Sequence, residues 1–550
     1  MFPQPDDFSD SSEREFVTEA DGLAARDDAG AQLRSSAAMS TITLGSRVLG
    51  FVRILVVAGV LGSTFLGDTY ATSNALPNLI FELLAAGALS AVLVPTLVNH
   101  LQRHDTAGAE QLAGGVLGVA LAGMAVITVI GYVLAEPIAR LLFITVDDTA
   151  LRDQQVRLGV FFIYFFLPQT LFYVIAMVMT GVLQAHRRFV VPALAPLWNN
   201  LVVIGVYVLY GVLFGQTDPT DITLGGKLLL ALGTTAGVVA LSLPQIPFVR
   251  RLGFRIRVRV AWRDPGVRRI VKLGLYAIGY LGFNNLIYMV MIVLANSVEG
   301  VVPFTVAWAF FLLPYSLFAM AISTASFPAM SRLHGEGDSD AYTDESVRSL
   351  GLIAFCVFPV AAAYLALAAP LATVFRFGNM SVAGAELVTL FLQTFAIAVP
   401  AYGLFLGLTR IAYAVHDTRG PTVANGLGIC LGIAIMIAVS VTVGGNAGLL
   451  GLGLGTAAAY SLACVLIARH HVAPGRRVEV VSVLARCFGV AVAMGLAAWG
   501  ASIGLVDALG SGRLGSLVAL ILAGTCGLLV YLAGTRVLHV PAWSMLRRTR

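Results

Sequence analysis

Apolar runs of twenty residues and more, separated by short clusters of charged residues, proline and glycine, occupy the chain from residue 36 to residue 537. A helix crossing about 30 Å of hydrocarbon needs roughly 20 mainly apolar residues, so each run predicts a membrane-spanning helix. The punctuation places fourteen of them, at 36–64, 73–99, 111–134, 156–184, 190–214, 227–249, 270–297, 303–331, 348–375, 383–411, 421–443, 447–468, 483–505 and 514–537. The expected fold is all-α, a polytopic membrane protein with about 14 transmembrane helices.

Composition agrees with the pattern. Of 550 residues, 58% are hydrophobic and only 12% charged, with a mean hydropathy of +0.86, whereas soluble chains carry about 25% charged residues. A soluble enzyme, a disordered scaffold and a nucleic-acid-binding module each need polar surface that this chain lacks. The net charge of +5 is uneven: residues 1–34 hold nine Asp or Glu against three Arg, which leaves +11 for the rest. That first segment has neither the basic start nor the apolar stretch of a secretory signal, and reads as a disordered acidic cytoplasmic tail. Lys and Arg then gather in alternate loops, at Arg187 and Arg188, from Arg250 to Lys272, at Arg476 and Arg477, and from Arg547 to Arg550. The opposite loops carry acid, at Asp147, Asp148 and Asp153 and at Asp218 and Asp221. The positive-inside rule places both termini in the cytoplasm, which requires an even number of spans. Cys356, Cys430, Cys464, Cys487 and Cys526 lie in or at the ends of apolar runs without CxxC pairs, as small core residues do.

The longest basic connection, RRLGFRIRVRVAWRDPGVRR at 250–269, divides six spans from eight. Arg255, Arg257 and Arg259 alternate there with Ile256, Val258 and Val260, and Asp264-Pro265 gives a helix start. It reads as a cytosolic linker whose arginines touch anionic headgroups. The expected organisation is the tail, a six-helix lobe at 35–250, the linker at 251–269, a second six-helix lobe at 270–470, two extra helices at 471–540 and a basic tail at 541–550. Thr180, Ala185 and Pro192 recur 229 residues later as Thr409, Ala414 and Pro421, and Leu76-Pro77 recurs as Leu313-Pro314. Paired halves suggest a transporter.

Some residues are costly where they fall. Arg47 and Arg53 lie within the first span, where an Arg costs at least about 2.5 kcal/mol at the helix centre. They are six residues apart, about 9 Å along the axis. Two readings stand: snorkelling or an ion pair with the intramembrane carboxylate Glu82, or an anion site facing a cavity and suited to a diphosphate. Pro77, Pro168, Pro244, Pro314, Pro359 and Pro400 each remove a helix hydrogen bond within an apolar run. Gly114, Gly118 and Ala122 form a small-residue ladder suited to close helix contact. Arg410 belongs at the cytoplasmic boundary, with lining of a path as the minority reading, and Arg376 at the outer one. Asp68 follows the first span as a solvated loop acid, with a gate as the alternative. There is no HExxH, Walker or nucleophile-elbow motif, and no metal site or cofactor is expected.

The stretch SRVLGFVRILVVAGVLGSTFLGDTYATSNALPNLIFELLAAGALSAVLVPTL at 46–97 resembles the MurJ/MviN family, flippases of lipid-linked peptidoglycan precursor. LPQTLFYVIAMVMTGVLQAHRRFVVPALAPLWNN at 167–200 and RIAYAVHDTRGPTV at 410–423 are similar to the same family, and WRDPGVRR with the acidic tail resembles its actinobacterial members. The resemblance implies the fold of the multidrug/oligosaccharidyl-lipid/polysaccharide (MOP) exporter superfamily. Two six-helix lobes would flank a central cavity, and two further helices would form a groove for a lipid tail. It implies lipid II as substrate, moved from the inner to the outer leaflet of a bacterial cytoplasmic membrane by alternating access, for cell wall biosynthesis. By position Arg47 and Arg53 match the family's cavity-facing arginines, Asp68 its outer-end aspartate and Asn78 the asparagine of its LPNL motif. The pattern departs at Leu79-Ile80-Phe81-Glu82, where an arginine is expected, and at Trp308, Ala309 and Leu312, where many members carry charge.

The expectation is a flippase without covalent chemistry, in which Arg47 and Arg53 hold the diphosphate, Asp68, Asn78 and Glu82 line the cavity or gate, and Arg410 borders the path. Coupling to a membrane potential or an unidentified ion stays open, as do partners among cell-wall synthesis or division proteins. The alternatives are an exporter of another polyprenyl-linked glycan, a drug exporter, and a non-transporting scaffold of the cell-wall machinery.

Overall fold

The computed structural model describes residues 41–42, 44–85, 88–215 and 222–540, without the side chains of 83–92 and 273–281. The acidic tail, Asp218 and Asp221, and Arg547 to Arg550 lie outside the described residues. Every long element is a helix. The first half comprises α1 (Leu44–Leu61), α2 (Phe65–Ala85), α3 (Ala88–Gln102), α4 (Thr106–Val133), α5 (Ala135–Leu142), α6 (Thr149–Phe166), α7 (Gln169–Ala185), α8 (Val190–Phe214), α9 (Leu224–Ser242) and α10 (Gln245–Arg251). The second comprises α11 (Pro265–Ala295), α12 (Val301–Pro314), α13 (Met320–Gly335), α14 (Ser339–Phe375), α15 (Val382–Ala396), α16 (Val399–Ala414), α17 (Arg419–Val443), α18 (Gly445–Gly448) and α19 (Leu450–His471). Two further helices follow, α20 (Pro474–Leu509) and α21 (Arg513–Val537).

Eleven helical spans among the described residues are long and apolar enough to cross a membrane, or twelve if the pair α15 and α16, bent by 45°, is one span. The other two of the fourteen expected spans, 73–99 and 270–297, fall on α2 with α3 and on α11, which run into the undescribed positions.

Helix boundaries follow from local chemistry. Asp105, Asp148, Thr223, Asp264, Asp338 and Ser381 each accept a hydrogen bond from a first-turn N–H of the helix they precede, satisfying donors that have no partner inside the helix. Proline marks the breaks. Pro168 separates α6 from α7 and Pro244 separates α9 from α10, while Pro400 opens α16. Pro314 leads into a π-helical turn, Tyr315–Ala319, before α13. The repeated segments close alike: Arg187 and His416, 229 residues apart, both adopt a left-handed conformation, with φ of 58° and 62°. Arg188 N–H donates to Leu183 C=O at 2.8 Å and Asp417 N–H to Ala412 C=O at 3.0 Å, the same bond at the same offset.

One packing expectation changes. Gly114 and Gly118 do receive a close neighbour, but it is the extended linker and not a helix. A Cβ at Gly114 would lie 2.1 Å from the Arg257 carbonyl oxygen, and one at Gly118 2.1 Å from that of Arg259. The Arg259 N–H donates to the Gly114 carbonyl at 3.2 Å. The cysteines also vary: Cys487 is buried, Cys356 and Cys464 are half-buried, and Cys430 and Cys526 are exposed, so the core reading fits only some of them.

Candidate functional site

A cavity of about 410 Å³ lies between the two halves. Arg53 of α1 reaches it, as do Asn74, Asn78 and Glu82 of α2, spaced by four residues and therefore on one helix face. Gln169 and Tyr173 of α7, Asn199 and Tyr207 of α8 and Thr234 of α9 complete the wall of the first half. Across from them stand Asn284, Asn285 and Tyr288 of α11, Trp308 of α12, Tyr402 of α16 and Tyr460 of α19. Arg53 is the one cation and Glu82 the one carboxylate among these lining residues.

Much of the wall is held by its own hydrogen bonds. Tyr173 Oη donates to Asn78 Oδ1 at 3.0 Å, and Tyr460 Oη to Asn284 Oδ1 at 3.1 Å. Tyr70 Oη lies 2.6 Å from both Tyr207 Oη and Thr234 Oγ1. Gln169 Nε2 donates to Thr235 Oγ1 at 3.1 Å. Other groups have no partner among the described residues: Asn74 Oδ1, Gln169 Oε1 and Asn285 Nδ2 are buried with their capacity unused. A buried polar atom without a partner costs about 1–3 kcal/mol, so these atoms favour a polar occupant. Trp308 packs into an aromatic cluster, 4.9 Å from the Phe311 ring and 5.4 Å from that of Tyr288, in place of the charges its position suggested.

The arginines separate. Arg53 is half-buried and lies within electrostatic reach of Tyr70, Tyr173 and Tyr207. Arg47 is exposed and lies outside the cavity lining. Neither forms an ion pair with Glu82 among the described residues. Arg47 and Arg410 share electrostatic reach of Tyr315, and the Arg410 guanidinium lies over the Phe327 ring at 5.8 Å. Arg376 is exposed at the end of α14, where its carbonyl accepts from Arg513.

Asp68 is a correction. It is fully buried in the first turn of α2, not a solvated loop acid. Its Oδ1 accepts from the Val302 N–H of the other half at 2.8 Å. More bonds join the halves beside it. Asn379 donates through its backbone N–H to Gly59 C=O at 2.7 Å and through Nδ2 to Val60 C=O at 2.6 Å. Ser63 and Ser381 hydroxyls meet at 3.0 Å. Asn296 Nδ2 donates to Leu142 C=O at 3.1 Å, and Thr145 Oγ1 to Val293 C=O at 2.5 Å. Glycine permits the approach, because a Cβ at Gly59 would fall 2.3 Å from the Phe377 ring and one at Gly62 2.4 Å from the Asn379 carbonyl oxygen.

A second, apolar groove of about 640 Å³ runs between α14, α16, α19 and α20, with Phe358, Leu365, Pro400, Leu404, Phe488 and Trp499 in its walls. Sequence reasoning singled out Arg53, Asn78 and Glu82 but missed the other amides, Asn74, Gln169, Asn199, Asn284 and Asn285. The four-residue spacing of Asn74, Asn78 and Glu82, and the pairs Asn199-Asn200 and Asn284-Asn285 inside apolar runs, were the available signals.

A sequence profile of the family described as "Lipid II flippase MurJ" matches residues 57–518. The chain is 28% identical over 494 residues to the "Probable lipid II flippase MurJ" of Haemophilus influenzae, covering 83% of this chain and 90% of that protein. Among solved structures it is similar to "Lipid II flippase MurJ, inward closed conformation", with a TM-score of 0.72, 18% identity, and coverage of 91% of this chain and 98% of that one. An inward-facing multidrug resistance MATE transporter of the MOP superfamily matches at a TM-score of 0.62 and 15% identity, over 81% of this chain and 98% of that one.

Proposed function

Because the chain belongs to the family of the lipid II flippase MurJ and translocates lipid II, we propose that the cavity between its halves receives the lipid's head group and that Arg53 holds the diphosphate. This is a transporter family, not an enzyme family. The carrying observation is the guanidinium of Arg53, half-buried in a span, facing a cavity whose other walls are almost entirely neutral. Arginine stays charged and offers forked donors that match phosphate oxygens, so an anionic guest offsets the cost of keeping it there.

The neutral wall suits the rest of the head group. Asn74 and Gln169 offer free acceptor oxygens to sugar hydroxyls, Asn285 offers a free donor to an acetamido or peptide carbonyl, and Trp308 presents an aromatic surface. Asn78, held by Tyr173, and Glu82 continue that wall along α2. Arg47 and Arg410 stand at the mouth, where they draw the anion in. The polyprenyl tail lies in the apolar groove against α20.

The basic loops and tail, read by the positive-inside rule, support a cytoplasmic position for the Arg47 end. Closure around Asp68 then makes this an inward-facing arrangement, with Asp68 as a gate residue that releases when the halves rock. No cofactor takes part, and a membrane potential, worth about 2.3 kcal/mol per charge at 100 mV, or an ion gradient drives the cycle.

The test is depletion of the protein followed by measurement of lipid II on each leaflet. Lipid II is expected to accumulate on the inner leaflet and to be cleared by the wild-type chain but not by Arg53→Ala at equal abundance. Clearance by Arg53→Ala would remove the site assignment.

A further inference from the structure

The linker at 254–263 has a use that the cavity does not supply. It leaves α10, buries Phe254, half-buries Ile256, and runs extended along α4 before Asp264 caps α11. Arg255 N–H donates to Glu110 Oε1 at 2.6 Å and Arg259 N–H to Gly114 C=O at 3.2 Å. The missing side chains of Gly114 and Gly118 form the seat, because a Cβ at either would occupy the space of a strap carbonyl.

Seating the strap turns its side chains outward. Arg255, Arg257, Arg259 and Arg263 are all exposed, and so are Val258 at 58%, Val260 at 58% and Trp262 at 53%. Between Arg250 and Lys272 there are nine Lys or Arg and a single acid, Asp264, which is engaged as a helix cap. None of the nine forms an ion pair among the described residues; Arg251 instead lies over the Phe248 ring at 5.4 Å. Gly114 and Gly118 are eight and twelve residues into α4, so the strap lies about 12–18 Å along its axis. Helix α4 has 28 residues, about 42 Å, close to the full thickness of a bilayer with its headgroups. The apolar part of α4, from Leu112 to Val133, is about 33 Å long, close to the hydrocarbon thickness. Gly114 and Gly118 stand in its first two turns, so the strap lies just inside the boundary between headgroups and hydrocarbon. Exposed arginines alternating with valine and tryptophan at that depth have one natural complement, a lipid with an anionic phosphate above and acyl chain below.

We propose that the strap seated on α4 is a binding site for anionic phospholipid, distinct from the lipid II cavity. The arginines take the phosphates while Val258, Val260 and Trp262 enter the acyl boundary. Bound lipid then holds α4 together with the start of α11, the helix that packs on both α3 and α17 and so touches both halves.

The full-length protein, in vesicles of phosphatidylcholine with phosphatidylglycerol, is assayed for phosphatidylglycerol retained relative to phosphatidylcholine. Wild type is expected to prefer phosphatidylglycerol, less so at high salt. Each basic residue near a charged membrane surface contributes about 1 kcal/mol, roughly fivefold. Arg255→Gln, Arg257→Gln, Arg259→Gln and Arg263→Gln together are expected to abolish most of the preference, and single variants to lower it about fivefold each, which keeps the test readable if the fourfold variant does not insert. Gly114→Ala with Gly118→Ala, which keeps every charge but unseats the strap, is expected to lose the preference too. Quenching of Trp262 by brominated phosphatidylglycerol, measured against Trp262→Phe, is expected to exceed that by brominated phosphatidylcholine. An undiminished preference in the arginine variants overturns the site. Loss in those variants with full retention in the glycine pair also overturns it, in favour of a diffuse charge effect. Lipid II translocation by all these variants in phosphatidylcholine vesicles is expected to persist, so failure of this site is separable from failure of the cavity.

Discussion

The two ends of the cavity are built from different materials. At the Asp68 end, side chains of one half grip main-chain atoms of the other: Asp68 on the Val302 N–H, Asn379 on the Val60 carbonyl, Asn296 on the Leu142 carbonyl and Thr145 on the Val293 carbonyl. At the Arg47 end the prominent groups are exposed or stacked cations, Arg47 and Arg410, and no comparable run of bonds joins the halves among the described residues. One end is fastened and the other is charged. A transporter caught between turns needs that asymmetry, since a cavity closed alike at both ends has no preferred side of entry.

The comparison is sharpest at Arg53, which sits between the ends. Arg53→Ala removes charge-assisted bonds worth about 1.5–3 kcal/mol each, so a loss of at least about a hundredfold in lipid II affinity is expected, measured by binding to the purified protein. Asp68→Ala should act on the fastened end alone. Removing this buried hydrogen bond, which leaves the Val302 N–H unpaired at a cost of about 1–3 kcal/mol, shifts the open-to-closed ratio by about tenfold, read as faster labelling of a cysteine placed at Asn74 from the Asp68 side. Asp68→Asn, which keeps an acceptor oxygen, should shift it less. Arg47→Ala is expected to slow translocation by less than tenfold, with the loss fading at high salt, because an exposed cation acts by steering. Equal effects of Arg47→Ala and Arg53→Ala would erase the distinction between mouth and cavity.

The smallest effect concerns the loop between α16 and α17. The Gly420 N–H holds the Asp417 carboxyl below the usual carboxylate range, against partial burial, and the His471 ring 2.9 Å away adds to the shift. A carboxylate depressed in the folded state adds stability that is complete above its unfolded pKa, about 3.9, and lost as pH falls through the folded value. Asp417→Ala should therefore cost about 1 kcal/mol at neutral pH, measured by thermal denaturation in detergent, and nothing in strong acid.

Spans were legible because hydropathy is additive along a helix and needs no partner. Arg53, Asn78 and Glu82 were legible because a charge or a motif inside an apolar run stands out. Asp68 was not, since its burial depends on Val302, 234 residues away, and a carboxylate just after a span looks solvated. The seat at Gly114 and Gly118 was misjudged for a related reason: small residues every four positions report that something comes close, and their spacing is the same whether helix or extended chain arrives. The other amides escaped because one asparagine in a span is cheap, and only the convergence of six, Asn78 included, from four helices makes a polar chamber.

Fastening through peptide groups has an evolutionary consequence. The residues that meet these side chains, Val302 and Val293 in the second half and Val60 and Leu142 in the first, contribute main-chain atoms, so the closure places no demand of its own on their side chains. Pairwise covariation would scarcely register this seam, and at Val302, fully buried in the core, apolar replacements of similar size should keep the closure, while proline, which alone among the twenty deletes the donor, should lose it.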